Sequence, residues 1–317
     1  MDLGSKKQKL KPNKLKLQPS ALLIATSVAV IAASADTFAD NNLDKIKDQA
    51  ADKAVEFATE KSKTLLEPYF DHLELGISAG EDRKPQWDLI GLKAYDNNGN
   101  ENTFFFNQLG INRFDERTTL NLGLGYRALT PDEKWMFGAN LFYDHEFPND
   151  HQRAGGGLEV RNSILRLNAN VYSGITGYKT DKSGTDSKAL DGQDARLEAS
   201  LPYLPATKLT YKTFKWNGID GASDNEGYTI GLKGYLLDNL LLEVAQTNFT
   251  GASTQRSRNE VSLTYEYRFG SDPAPYFYYI SSSAYELTPL SHERYEVVQR
   301  ENRIIKQKKF GTTVSGV

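Results

Sequence analysis

Between Arg117 and Phe269 the chain keeps returning to one pattern, a run of about ten residues in which apolar and polar side chains alternate, closed by a turn. The last run is the clearest. Val261, Leu263, Tyr265, Tyr267 and Phe269 occupy alternate positions, with Ser262, Thr264, Glu266 and Arg268 between them. Successive side chains of an extended strand point to opposite faces, so this strand has one apolar, aromatic-tipped face and one wet face. Twelve such strands are predicted, over 72–79, 87–95, 103–113, 117–127, 134–145, 153–161, 163–173, 194–201, 207–216, 227–236, 239–249 and 258–269. Closed on itself, a sheet of these strands is apolar outside and polar inside, and it crosses a bilayer without stranding backbone polar groups in lipid. The expected fold is all-β, a twelve-stranded antiparallel transmembrane barrel.

Two strands fix the faces. Leu165, Leu167, Ala169 and Val171 are assigned to lipid and Arg166, Asn168 and Asn170 to the lumen; Leu197, Ala199 and Leu201 alternate in the same way with Arg196, Glu198 and Ser200. In the last strand Glu266 and Arg268 take the luminal face. An Arg or Lys moved to mid-bilayer would cost about 2 to 4 kcal/mol, so the register is strongly specified. Leu240, Leu241 and Leu242 in succession blur the pattern and imply an apolar contact inside the lumen. An even number of strands returns the chain to its starting side. The connections on that side should be short, and TPDEK near Thr130, the turn at Asn162, PYLPA at Pro202 and the turn at Asp238 are. Long polar connections at Gly174 to Gln193, Asn217 to Glu226 and Thr250 to Ser257 belong to the other side, the exterior. Two connections fit poorly: the bend at Asp115 is short for the exterior, and Asp96 to Asn102 is long for the periplasm.

The N-terminus carries an export signature. Lys6, Lys7, Lys9, Lys11, Lys14 and Lys16 precede the apolar stretch Ala21 to Ala33, and TFA ends at Ala39, near which cleavage is expected. That stretch is too short for a membrane-spanning helix. A mean hydropathy of -0.55 excludes a helical membrane protein, while 17 Tyr, 15 Phe and 3 Trp supply aromatic girdles. Of 38 basic and 41 acidic residues the leader takes six and two, leaving a net charge of -7, and no basic surface points to nucleic acid. There is no cysteine, so disulfides and thiolate sites are excluded. Asn42 to Glu67 has the spacing of an amphipathic helix through Leu43, Ile46, Ala50, Ala54, Phe57 and Leu65, ended by Pro68; a solvated linker helix and a plug or docking role both fit it.

No catalytic or metal constellation assembles. His72, His145, His151 and His292 are scattered, and Asp144, His145 and Glu146 point alternately to opposite faces of a strand. Gly155, Gly156 and Gly157 precede no helix pattern, so a curved barrel strand explains them better than a phosphate cradle. No G-x-S-x-G elbow occurs. A rim enzyme is the rival function from another class, and no Ser or Asp constellation near the strand tops supports it. The chain is expected to be non-enzymatic and to need no cofactor.

Beyond Phe269 the chain continues through SSSAYELTPLSHERYEVVQRENRIIKQKK, in which RYEVVQRENRII (Arg294 to Ile305) closely resembles the segment that follows the barrel in the intimin and invasin family, the inverse autotransporters. INRFDERTTLNLGLGYR, ANLFYDHEFPNDHQRAGGGLEV and LPYLPATKLTYKTF resemble the family in the same order. The resemblance implies a type V secretion translocator of the bacterial outer membrane. Its N-terminus stays periplasmic, and its C-terminal linker threads the pore to display a passenger, usually an adhesin. The division implied is a signal peptide at 1–39, a periplasmic helical segment at 40–71, the barrel at 72–270 and a linker with passenger stub at 271–317. Glu286, Ser291, Arg294, Tyr295, Val298, Arg300, Asn302, Ile304 and Ile305 would thread the pore, Ser291 capping a short helix through Tyr295 and Val298, and Ile304 and Ile305 among Lys306, Lys308 and Lys309 forming an extended segment that pairs with charged lumen walls. Tyr265, Tyr267 and Phe269 resemble the signal read by the barrel-assembly machinery. Partners expected are outer-membrane lipid, that machinery, periplasmic chaperones and, through a passenger, a host or neighbouring cell surface. Family members often carry a LysM module before the barrel and immunoglobulin-like domains after the linker. FGTTVSGV after Lys309 is too short to fold alone, so the chain is expected to be either a piece of a longer protein or a barrel without cargo. A passenger-less, porin-like channel is the alternative.

Overall fold

The computed structural model describes residues 66–80, 86–97, 100–237, 239–251, 255–269, 280–290, 293–309 and 314–315. The expected signal peptide with Ala39, all but the end of the Asn42 to Glu67 helix, and Ser291 and His292 lie outside them. Sixteen strands follow in order: β1 (His72–Gly80), β2 (Gln86–Asn97), β3 (Asn100–Phe114), β4 (Arg117–Leu129), β5 (Met136–Phe147), β6 (His151–Arg161), β7 (Leu165–Gly174), β8 (Lys179–Thr180), β9 (Asp186–Ala189), β10 (Gly192–Leu201), β11 (Leu204–Trp216), β12 (Asn225–Leu237), β13 (Leu240–Thr250), β14 (Arg258–Arg268), β15 (Lys306–Lys308) and β16 (Val314–Ser315).

Twelve of them close an antiparallel barrel in the order β1-β14-β13-β12-β11-β10-β7-β6-β5-β4-β3-β2, as the alternating pattern predicts. The seam joins first strand to last, with His72 opposite Arg268 and Ile77 opposite Leu263. Closure removes both sheet edges, so every wall strand finds ladder partners on both sides. β7 alternates strictly, its leucines, Ala169 and Val171 exposed and Arg166, Asn168, Asn170 and Tyr172 buried inside. Leu124, Leu141, Leu158 and Val171, on four adjacent strands, are 61 to 71% exposed, an apolar belt that suits lipid and not water.

One end of the barrel carries short turns. Asn162 Oδ1 accepts the backbone N–H groups of Ile164 and Leu165 at 2.8 and 2.7 Å, closing the β6–β7 turn. In the β4–β5 turn the Thr130 hydroxyl donates to Asp132 at 2.6 Å and holds that carboxyl below the usual range. The other end carries the long connections. Both poorly fitting connections have a structural cause. β2 runs on to Asn97 and β3 starts at Asn100, opposite it, so residues 96–102 are mostly strand and only two residues lie between the strands. Asp115 and Glu116 take φ of 48° and 65°, a two-residue turn with the hand that twisted hairpins favour.

The lumen corrects the expectation of a wholly polar inside. Ile90, Leu92, Phe104, Phe106, Leu129, Met136 and Phe142 form an apolar cluster inside the barrel, and Tyr172, Leu190, Phe214 and Trp216 form another. Leu241, opposite Tyr235, faces inward and is buried. A water-filled channel would make such clusters costly; their burial needs an occupant.

Candidate functional site: the chain segment inside the barrel

The occupant is the chain's own C-terminal segment. At the short-turn end Ser281 N–H donates to the Tyr203 carbonyl and Tyr203 N–H to the Ala284 carbonyl, at 2.9 and 3.1 Å. Ser163 Oγ donates to the Glu286 carbonyl at 3.2 Å, and Leu290 N–H to the Glu133 carbonyl at 2.9 Å. Leu290, Val297 and Val298 then complete the first apolar cluster, and Tyr295 stacks edge-on against Phe104 at 5.4 Å. At the long-connection end Ile305, fully buried, completes the second cluster. There Lys306–Lys308 pairs with β9, making a four-stranded sheet ordered β16-β15-β9-β8.

One expectation is corrected here. Among the described residues the segment has only a turn at Glu293–Tyr295 and no helix. A helix would satisfy its own backbone; here wall side chains do so instead. Arg161 donates to the Glu293 carbonyl at 2.9 Å, Arg127 to Arg294 at 2.9 Å, Asn170 to Gln299 at 3.1 Å, Arg153 to Glu301 at 2.6 Å and Asn121 to Asn302 at 2.9 Å. Val298 N–H donates to Gln108 Oε1 at 2.8 Å, and Glu301 N–H to the Tyr172 hydroxyl at 2.8 Å. Beyond Glu301 the chain is extended at Lys306–Lys308 and Lys306 meets the wall carboxylate of Glu146 at 2.9 Å, while Ile304 and Ile305 are fully buried, Ile305 among aromatic rings.

Around this segment the wall charges are paired. Glu296 bonds to Arg166, lies 3.1 Å from Arg268 and 3.5 Å from Arg161, so arginines of β7, β14 and β6 converge on one carboxylate. Arg166 also meets Glu293 at 3.2 Å. Glu159 sits between Arg127 and Arg161 at 2.7 and 3.0 Å. Arg300 bonds Asp144 at 2.7 Å and lies 4.1 Å over the Phe142 ring, while Arg153 takes the same carboxylate at 2.8 Å. Arg196 bridges Glu198 and Glu243 at 2.9 and 2.7 Å, and Arg268 donates to Glu266 at 3.0 Å. Asn168 is buried on the same luminal face as Arg166 and Asn170. Buried charges of this kind persist only when each is matched, and the matching partners here come from wall and segment together.

Outside the wall, Tyr267 and Phe269 stack edge-on at 4.7 Å, and Phe269 N–H donates to the Asp71 carbonyl at 2.9 Å. Tyr265, one position pair further along, is buried. At the long-connection end the Tyr178 hydroxyl donates to Asp220, a bond that pushes its pKa up to about 12, and Lys309 lies 5.3 Å over the same ring. Gln307 exchanges hydrogen bonds with the backbone of Ile219, accepting at 3.3 Å and donating at 3.1 Å. The carriers absent from the expected set, Arg127, Arg153, Glu159 and Arg161, share the luminal parity that singles out Arg166, so alternation alone could have found them. Glu296 carried no such signal, because the segment has no strand period. Asp144 and Glu146 point inward and are held by cations, and no group of metal-ligating residues occurs among the described residues.

A closed twelve-stranded transmembrane barrel holding its own C-terminal segment by backbone and charge defines an outer-membrane β-barrel with an internal polypeptide. The family described as inverse autotransporter, beta-domain matches residues 24–302, and the chain belongs to that family. It is 28% identical to an intimin of Escherichia coli O127:H6 over 83% of this chain and 28% of that protein. It is 30% identical to an invasin of Yersinia enterocolitica over 66% of this chain and 26% of that one. It is 30% identical to the inverse autotransporter adhesin YeeJ of Escherichia coli K12 over 63% of this chain and 9% of that one. The chain thus spans less than a third of the length of these relatives. A chain solved in work on in-meso crystallization of membrane proteins shares the fold, with a TM-score of 0.63 at 24% identity over 75% of this chain and 100% of that one.

Proposed function

We propose that this chain is the outer-membrane translocation unit of a type V secretion system, with its N-terminus in the periplasm and its C-terminus carried outside through its own lumen. The observation that supports this most is the series of contacts through 281–290 and 293–308, from Ser281 at the short-turn rim to Lys308 among the long connections. Twelve strands end on the side where they began, so a chain that leaves at the opposite rim has crossed inside the barrel. Residues 1–39 act as the cleaved signal, 40–71 as a periplasmic segment, 72–270 as the anchor and 271–317 as the linker to a passenger. Chaperones and the barrel-assembly machinery deliver the barrel to lipid. The cargo is an adhesin, in keeping with relatives named intimin, invasin and adhesin. The polar wall groups that reach the segment bind its backbone or pair with its charges.

A peptide tag after Val317 tests the reading. It should be reached by antibody on intact cells, as should tags near Ser183 and Ser223 in the long connections. If only the loop tags are reached until the outer membrane is broken, the barrel stands and the translocator fails.

A further inference from the structure

Two kinds of contact hold residues 293–306, and they differ in what they can recognise. The first is indifferent to sequence. Arg161, Arg127, Asn170, Arg153 and Asn121 take backbone carbonyls, which every residue offers. Such contacts alone would hold a passing chain in many registers.

The second kind is charge. Four charges of the segment that meet the wall, Glu296, Arg300, Glu301 and Lys306, alternate in sign, and their wall partners alternate in the opposite sense; Arg303, between the last two, pairs with Glu301 of the segment itself at 2.7 Å. Glu296 faces Arg161, Arg166 and Arg268; Arg300 faces Asp144 at 2.7 Å; Glu301 faces Lys212 at 3.0 Å; Lys306 faces Glu146 at 2.9 Å. Glu296 and Glu301 are both buried, as are Asp144 and Glu146. Sliding the chain four positions would set Arg300 among the three arginines, a like-charge contact out of water.

We propose that this complementary series is a register code. It selects the C-terminal linker from the segments that pass through the lumen and arrests it with Glu296 in the arginine triad. Glu296 is then a positioning residue for export, and the inference rests on the translocator reading. A passenger segment with scattered or unmatched charges slides by, because the carbonyl contacts exchange one residue for the next at little cost. The linker stops because Glu296, Arg300, Glu301 and Lys306 find wall partners together in one register.

Register can be read by cross-linking, since the chain has no cysteine of its own. Ser187 and Lys308 are directly opposite in β9 and β15. The hydrogen bonds flanking them run from Lys309 to Asp186 and from Leu190 to Ile305, so they form a non-hydrogen-bonded pair, whose close Cα atoms suit a disulfide. The chain with Ser187→Cys, Lys308→Cys and a tag after Val317 should cross-link readily in cells. Adding Glu296→Lys should lower the yield by at least roughly threefold, the loss expected when a buried ionic match becomes a repulsion.

Heat-modifiable gel mobility confirms that the barrel is folded in each variant. An unchanged 187–308 yield in folded Glu296→Lys would overturn the code. Should Glu296→Lys fail to fold, Glu296→Gln is measured in its place. Failure of both to fold would also overturn the proposal, since Glu296 would then be a strut of the barrel. A tag unreachable on intact cells in the parent defeats the translocator reading itself, whatever the cross-links show.

Discussion

At the scale of single residues the lumen is organised by glycine opposite aromatic. Phe106 pairs across the ladder with Gly125, Phe142 with Gly123, Tyr172 with Gly155, Phe214 with Gly227 and Trp216 with Gly192. The missing side chain gives each ring room to lie along the wall beneath the threaded segment: a Cβ at Gly125 would fall 2.1 Å from the Phe106 ring, and one at Gly192 2.2 Å from Trp216. Gly155 therefore has a packing role as well as lying in a curved strand. Gly125→Leu should lower the denaturant midpoint of the folded barrel, destabilising it by about 1 to 3 kcal/mol through overpacking. Gly156→Ala, whose Cβ faces outward 3.4 Å from Leu141, should stay within about 0.5 kcal/mol of the parent. Equal midpoints would mean that the rings are free to move aside. The sequence shows these glycines but not their partners, because in TFFF three successive apolar residues carry no parity; the structure turns Phe104 and Phe106 inward and Phe105 outward.

At the scale of elements, legibility follows length and period. All twelve wall strands could be read because each is long enough to alternate several times, and a one-residue slip would put Arg166 or Glu198 into lipid. β8, β9, β15 and β16 have two to four residues, too few to show a period, and they exist because the segment leaving the lumen pairs with a loop hairpin. The linker was legible only by family resemblance, since its conformation is set by wall donors distant in sequence. The closing strand β14 carries a further expectation. Its outward aromatics end in the Tyr267 and Phe269 pair beside the seam with β1. Phe269→Ala with Tyr267→Ala should reduce the heat-modifiable barrel in outer-membrane fractions while export to the periplasm continues, if these rings mark the strand for assembly. Normal assembly kinetics with only a lower melting point would reduce them to packing.

At the scale of the whole molecule, the barrel and its last residues form one cored body. Apolar clusters near the two ends of the lumen and an ionic layer between them draw partners from wall and segment alike. The same wall without the segment would leave Asp144 short of Arg300, the arginine triad short of Glu296 and the aromatic rings facing water. The lumen is thus closed by the chain it carries. Single-channel conductance in a planar bilayer tests that claim most directly. The full chain should conduct poorly, and the chain lacking residues 286–317 should open a clearly larger, stable conductance; equal conductance from two folded barrels would contradict it.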